Sequence, residues 1–357
     1  MHNLDLLSQQ DQSGGGFSFV DQQTMSGAIR VNQLIFSGEY IVGLQAAKTY
    51  LKLSQNQLEK TELNVKEMVN STYFGILSLQ NNLDIIANNK ELLGKNLEES
   101  RAMLAQGLME ETDVLQFEYN FNMVSNQFNL IDRQLKITQD LLKVILGIDK
   151  DASLTLSSKL EDLIGQSTNQ AMHDSTAFML ENNIDYKMLQ TQVDANTLSF
   201  KREKSTYLPS LSANYQFYQY LIDPSIAMMP QHSIGVSASI PIFSSGMRNA
   251  KVQQAKIELE KSNNMLEMQS QNITILALQA QYELKSAYEA YNKEKKNLEL
   301  AQKIFDNTQK KYTQGVSSSM DLTQANSQFL MATSAYTTAI VNLLDAKTKL
   351  DKINNNL

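Results

Sequence analysis

Ala105-Gln106-Gly107-Leu108-Met109-Glu110-Glu111-Thr112-Asp113-Val114-Leu115-Gln116 returns in the second half of the chain as Thr313-Gln314-Gly315-Val316-Ser317-Ser318-Ser319-Met320-Asp321-Leu322-Thr323-Gln324. Gln106, Gly107, Asp113 and Gln116 fall on Gln314, Gly315, Asp321 and Gln324 at one constant offset. An upstream pair, Leu34-Ile35-Phe36-Ser37-Gly38 and Pro241-Ile242-Phe243-Ser244-Ser245-Gly246, keeps that offset to within one residue. The sequence therefore reads as two copies of one unit.

Each copy runs in the same order. A strand ends at the Phe-Ser-Gly element, and a long proline-free stretch follows, about 39–105 and about 247–313. At 1.5 Å per residue, such a helix is on the order of 100 Å long. Gly107 and Gly315 stop it, as a residue with positive φ stops a helix. Asp113 and Asp321 then stand at the start of a return helix (about 111–147 and about 318–352), where a carboxylate complements the helix dipole.

The return helices carry the clearest packing signal. Leu322, Ala325, Phe329, Ala332, Tyr336, Ala339, Leu343, Ala346 and Leu350 step by three and four. Their counterparts are Val114, Phe117, Phe121, Val124, Phe128, Ile131, Leu135, Thr138 and Leu142. These are coiled-coil seams. The long helix answers with Leu284, Ala287, Tyr288, Tyr291, Leu298, Ala301, Phe305 and Tyr312. Each copy is predicted to be an antiparallel helical hairpin closed at its glycine tip.

The other end of each copy is β. Residues 210–220 set Leu211, Ala213, Tyr215 and Phe217 against Ser212, Asn214, Gln216 and Tyr218. Residues 233–242 set Ile234, Val236, Ala238 and Ile240 against Ser233, Gly235, Ser237 and Ser239. Period two with one apolar face reads as antiparallel strand, and about ten residues is the length of a tilted membrane-crossing strand. In the first copy one strand is evident, about 28–36, and residues 1–26 read as the preceding loop. The divisions are then 1–147, a first repeat lacking its first helix and strand; 148–183, an equatorial linker packed outside the helices; and 184–357, a second repeat opening with a helix at about 185–205.

Composition narrows the function. A net charge of −7 over 357 residues argues against nucleic acid as a partner, which calls for a basic stripe. No cysteine is present, so disulfides and thiol chemistry are excluded. His2, His173 and His232 are far apart and lack ligand spacing, so they are read as surface or loop residues with no metal role. His173-Asp174 has no nucleophile beside it. No phosphate loop, dinucleotide fingerprint or catalytic serine motif occurs, so neither a cofactor nor an enzymatic role is expected. No apolar run reaches the roughly 18 residues of a membrane helix, and no export signal is visible after Met1.

Strand, Phe-Ser-Gly element, long helix, Gln-Gly tip, Asp six residues beyond the glycine, and return helix, all duplicated, resemble the TolC family of outer-membrane efflux proteins. Tyr312-Thr313-Gln314-Gly315 with Asp321-Leu322, Pro209-Ser210-Leu211-Ser212-Ala213, and Ser239-Ile240-Pro241-Ile242-Phe243 are the most specific parts. The resemblance spans the chain from about residue 27 and implies that part of the first repeat lies upstream of Met1. It implies a homotrimer in which each copy gives four strands to one twelve-stranded barrel in outer-membrane lipid. The helices would build a periplasmic α-barrel. Its tips, with Gly107, Gly315, Gln106 and Gln314, would meet a periplasmic adaptor and an inner-membrane pump. By the same resemblance Asp321 is a pore-ring aspartate, and Gln324 replaces a second one. Asp113 is the tip aspartate that in some members pairs with a basic residue, a place taken here by Ser317. The implied function is a passive export duct of a tripartite efflux or type I secretion system. A coiled-coil scaffold without a pore is the alternative; it has no use for bilayer-length amphipathic strands.

Overall fold

The computed structural model describes residues 25–149, 151–160, 162–164, 178–222 and 230–357. His2, His173 and most of the predicted 1–26 loop lie outside these. In chain order the elements are β1 (Met25–Phe36), α1 (Gly38–Ala105), α2 (Glu111–Leu146), α3 (Ile184–Ser205), β2 (Ser210–Ile222), β3 (His232–Ser239), α4 (Met247–Thr313) and α5 (Ser319–Ile353). The 68-residue α1 and the 67-residue α4 run unbroken because neither contains the proline that would remove a ladder bond.

The contacts divide the chain into two compact units, and neither follows the repeat boundaries. One holds residues 50–194 and 261–357. Within it α1 runs antiparallel to α2, and α4 to α5. Ile86, Leu93 and Val124 form one cluster, and Ile76, Leu135 and Leu142 another. A third joins Leu77, Leu284, Tyr291, Ile340, Leu343 and Leu344 with Leu160 and Ile164, so the segment after α2 inserts its own leucine and isoleucine among the helices. Every seam position named above in α2 and α5 is buried or half-buried. Asn183 caps α3, its Oδ1 accepting from the backbone N–H groups of Asp185 and Tyr186 at 3.0 and 3.1 Å. Its Nδ2 donates to the carbonyl of Ile353 at the end of α5.

The other unit holds residues 25–49 and 195–260 among those described, and its core element is an antiparallel sheet in the order β1-β2-β3. Strand β1, from the first half of the sequence, pairs with β2 from the second (Val31 opposite Tyr215, Arg30 opposite Gln216). Strand β3 stops at Ser239, short of the predicted 242, because Pro241 has no N–H to give a ladder. Strand β1 starts earlier than predicted, at Met25, and β2 runs on through Ile222. His232 opens β3 as an exposed, surface residue; its Nδ1 lies 2.9 Å from the Tyr215 hydroxyl.

Candidate functional site

The tips are built by backbone chemistry first. Gly107 has φ +71°, and its N–H donates to the Leu104 carbonyl while that of Leu108 reaches Met103. Gly315 repeats this with φ +72°, its N–H donating to Tyr312 and that of Val316 to Lys311. This paired closure satisfies the last carbonyls of a helix and needs a left-handed residue at its pivot. Neither glycine has a neighbour that a Cβ would strike, so backbone conformation alone selects glycine. Gln106 and Gln314 beside them are exposed. So are Leu108 and Val316, at 72% and 73%, an apolar pair that sequence reasoning passed over.

Beyond the turns the two hairpins differ. Helix α2 has Glu110 as its N-cap residue, without a side-chain cap bond. Helix α5 starts with a reciprocal cap: Ser318 Oγ accepts from the Asp321 N–H at 3.1 Å, and Asp321 Oδ2 accepts from the Ser318 N–H at 3.0 Å. The same oxygen accepts from the hydroxyls of Ser318 and Ser317 at 2.8 and 3.1 Å. The Ser318 N–H, the Ser318 hydroxyl and the Ser317 hydroxyl, in that order, hold the Asp321 carboxyl below its ordinary range.

Asp113 is not reached by Ser317, which is spent on Asp321. Its partner is Ser319, whose buried hydroxyl donates to Asp113 Oδ1 across the starts of α2 and α5. The sequence signal for Ser319 was hidden in a run of three serines, any of which could cap a helix. Nearby, Tyr312 packs edge-on against Phe117 at 5.7 Å and bonds to Ser100; burial pushes its hydroxyl pKa up. Beneath lies one core shared by four helices: Leu97, Val114, Phe117, Phe305, Leu322 and Ala325. Asn120 Nδ2 donates to Thr323 Oγ1 at 2.8 Å one turn further in. Gln324 is exposed. The tips are thus two backbone-closed turns joined by the hydrogen bond from Ser319 to Asp113.

The sheet has a different chemistry. Directly opposed residues share a face, so Ile29, Val31, Ala213, Tyr215, Phe217, Ile234, Val236 and Ala238 line one side, together with Gln33 opposite Ala213 and His232 opposite Phe217. Arg30, Asn32, Ser212, Asn214, Gln216, Ser233 and Ser237 line the other. The apolar side is open: Ile29 is 64% exposed, Ile234 81% and Val236 68%. Among the described residues, no buried apolar side chain lies within 25–49 or 195–260. A three-stranded sheet with no core on either face is not stable in water by itself. Among the described residues no helix is apolar enough to cross a membrane, and no three acidic, histidine or cysteine side chains could hold a metal.

The sequence model of the outer membrane efflux protein family matches residues 178–356. Outer membrane protein TolC of Vibrio cholerae serotype O1 is 21% identical over 253 residues, which cover 69% of this chain and 57% of that protein. Outer membrane efflux protein BepC of Brucella suis biovar 1 is 24% identical over 234 residues, 65% of this chain and 50% of that one. The chain spans about half the length of these relatives. Among solved structures, VceC of Vibrio cholerae superposes with a TM-score of 0.73 at 13% identity, covering 94% of this chain and 87% of that one. The CmeC outer membrane channel of Campylobacter jejuni gives 0.74 at 15%, covering 94% and 78%. At such identities the likeness shows the fold.

Proposed function

The chain belongs to the outer membrane efflux protein family, a family of channels and not of enzymes, and from that premise we propose that it is the duct of a tripartite efflux or type I secretion system in the outer membrane. Three copies close one twelve-stranded barrel to which each gives β1, β2, β3 and a fourth strand. Substrates pass outward through it by diffusion, and energy comes from an inner-membrane pump reached through a periplasmic adaptor.

The observation that carries this reading is the exposed apolar face of the sheet. Unpaired backbone cannot face lipid, so strands cross a bilayer only as a closed barrel. Three strands per chain cannot close one, which makes association obligatory. The other unit supplies a second reason for association. Helix α2 leaves Leu115, Tyr119, Leu130, Ile137, Leu141 and Val144 exposed at spacings of a seam without a partner. A neighbouring copy supplies that partner.

In this reading the tips are the entrance. Gly107, Gly315, Gln106, Gln314 and the exposed Leu108 and Val316 form the adaptor contact. Three Asp321 carboxylates ring the axis, with the bond from Ser319 to Asp113 holding the tips closed. Native mass of the protein extracted from outer membranes in mild detergent tests the reading. A trimer that forms conducting pores, with Asp321→Asn lowering cation preference, is expected. A monomer or dimer needing no detergent would leave a coiled-coil scaffold as the better account.

A further inference from the structure

Strands β1, β2 and β3 carry one fixed charge between them, Arg30. It sits at the middle of β1 on the polar face, opposite Gln216, which itself lies opposite Ser233. Its neighbours on that face among the described strands are uncharged. Asn32 lies opposite Asn214, the Asn214 side chain lies over Gly235, Ser212 bonds to Ser237 at 2.8 Å, and the Tyr218 hydroxyl donates to Ser26 at 2.7 Å. Arg30 is exposed and makes no ion pair among the described residues. A guanidinium presents a planar fork of five N–H donors that matches carboxylate and phosphate geometry.

We propose that Arg30 is an ion-selecting residue of the barrel, where three copies form a cationic ring that favours anionic solutes. This rests on the trimeric-barrel reading above. In such a barrel the apolar face meets lipid and the polar face lines the lumen. Rotational symmetry then places the three guanidiniums at one height. With no carboxylate on the described strands to neutralise them, the ring is an attraction for carboxylate, phosphate or sulfonate groups and a barrier to cations. At roughly 10 Å, one Debye length in about 0.1 M salt, three screened charges change the anion-to-cation ratio about fourfold to fivefold.

The test is the reversal potential of trimers reconstituted in planar bilayers under a potassium chloride gradient. Arg30→Gln is expected to lower the chloride-to-potassium permeability ratio about fourfold, Arg30→Lys to preserve it, and Gln216→Glu to lower it with Arg30 still in place. The last two guard against a variant that merely disturbs the sheet. Pores whose ratio is the same in wild type, Arg30→Gln and Gln216→Glu overturn the assignment while leaving the duct intact. Wild-type protein that forms no trimer or no pore overturns the duct reading itself, and this inference with it.

Discussion

Substituting Ser319 by alanine removes the hydroxyl that joins the two tips. Ser319 is 6% exposed and donates to Asp113, which is half-buried. A hydrogen bond to a charged group contributes about 1.5–3 kcal/mol, and losing it leaves a buried group unpaired at the upper end of that range. Asp113 can recover some water here because it is not fully buried, so about 1–2 kcal/mol is the expected cost. If the bond exists only in the closed arrangement, the closed-to-open ratio falls about five- to thirtyfold. Single-channel recording of trimers in planar bilayers reads that ratio as open occupancy. Ser319→Thr keeps the hydroxyl and should behave as wild type. Ser317→Ala removes a bond to Asp321 alone and should leave occupancy unchanged. A double-mutant cycle with Asp113→Ala isolates the pair, with a coupling above about 1 kcal/mol expected. Additive effects to within about 0.5 kcal/mol, with occupancy unmoved in Ser319→Ala, would refute the latch.

Asp345→Asn should raise the thermal midpoint at pH 7. Burial, against the lowering effect of a hydrogen bond from Ser71 and with help from Glu67, raises the Asp345 pKa above 3.8, so stability tied to its proton is present below 3.8 and lost as pH rises through the raised value; the advantage of the variant should vanish in scans below that pH. Asp321 runs the other way: its pKa is depressed, so the cap it makes is intact above 3.8 and lost as pH falls through the lowered value, which amide exchange at residues 318–322 should show and Asp321→Asn should flatten. Ile234→Arg puts a charge on the apolar face at a cost of about 2–4 kcal/mol if that face meets lipid at mid-depth, whereas Ser233→Arg on the polar face should be tolerated; heat-resistance of detergent-extracted trimers on gels separates the two.

Much of the helical framework could be read from spacing, because proline removes a ladder bond wherever it stands and these stretches have none. The seams of α2 and α5 were visible in the same way: a three-four step kept over nine positions keeps every one of them on a single helix face. What spacing hid was a second buried row on α5, formed by Asn326, Thr333, Thr337 and Thr348 beside Ile340 and Leu344. Asparagine and threonine at those positions carry no apolar signal for spacing to pick out. The hydroxyls of Thr333 and Thr337 donate back to the carbonyls of Phe329 and Thr333, and the amide of Asn326 pairs with that of Asn89 on α1. Once satisfied in this way, a polar side chain packs like an apolar one of its size. The tip aspartates were found by their repeat, but their partners were not. Only the turn geometry decides which of Ser317, Ser318 and Ser319 faces Asp321 and which faces Asp113.

The two units also imply an order of assembly. Residues 50–194 and 261–357 contain every buried apolar side chain among those described, in clusters that draw on four helices. That unit has the means to fold from one chain. The strand unit has none of its own: ordering each residue costs about 1–2 kcal/mol of backbone entropy, and among its described residues no fully buried apolar side chain offsets it. In the trimeric-barrel reading its stabilisation comes from lipid on one face and from strands added at its edges, and the lipid and the strands of other copies arrive only with membrane and assembly. Helical folding should therefore precede the sheet, and the sheet should form at the moment of closure. Strand variants such as Ile234→Arg then act on the yield of trimers and leave the helical body folded, while a tip variant such as Ser319→Ala leaves the yield alone and changes only how the finished channel opens.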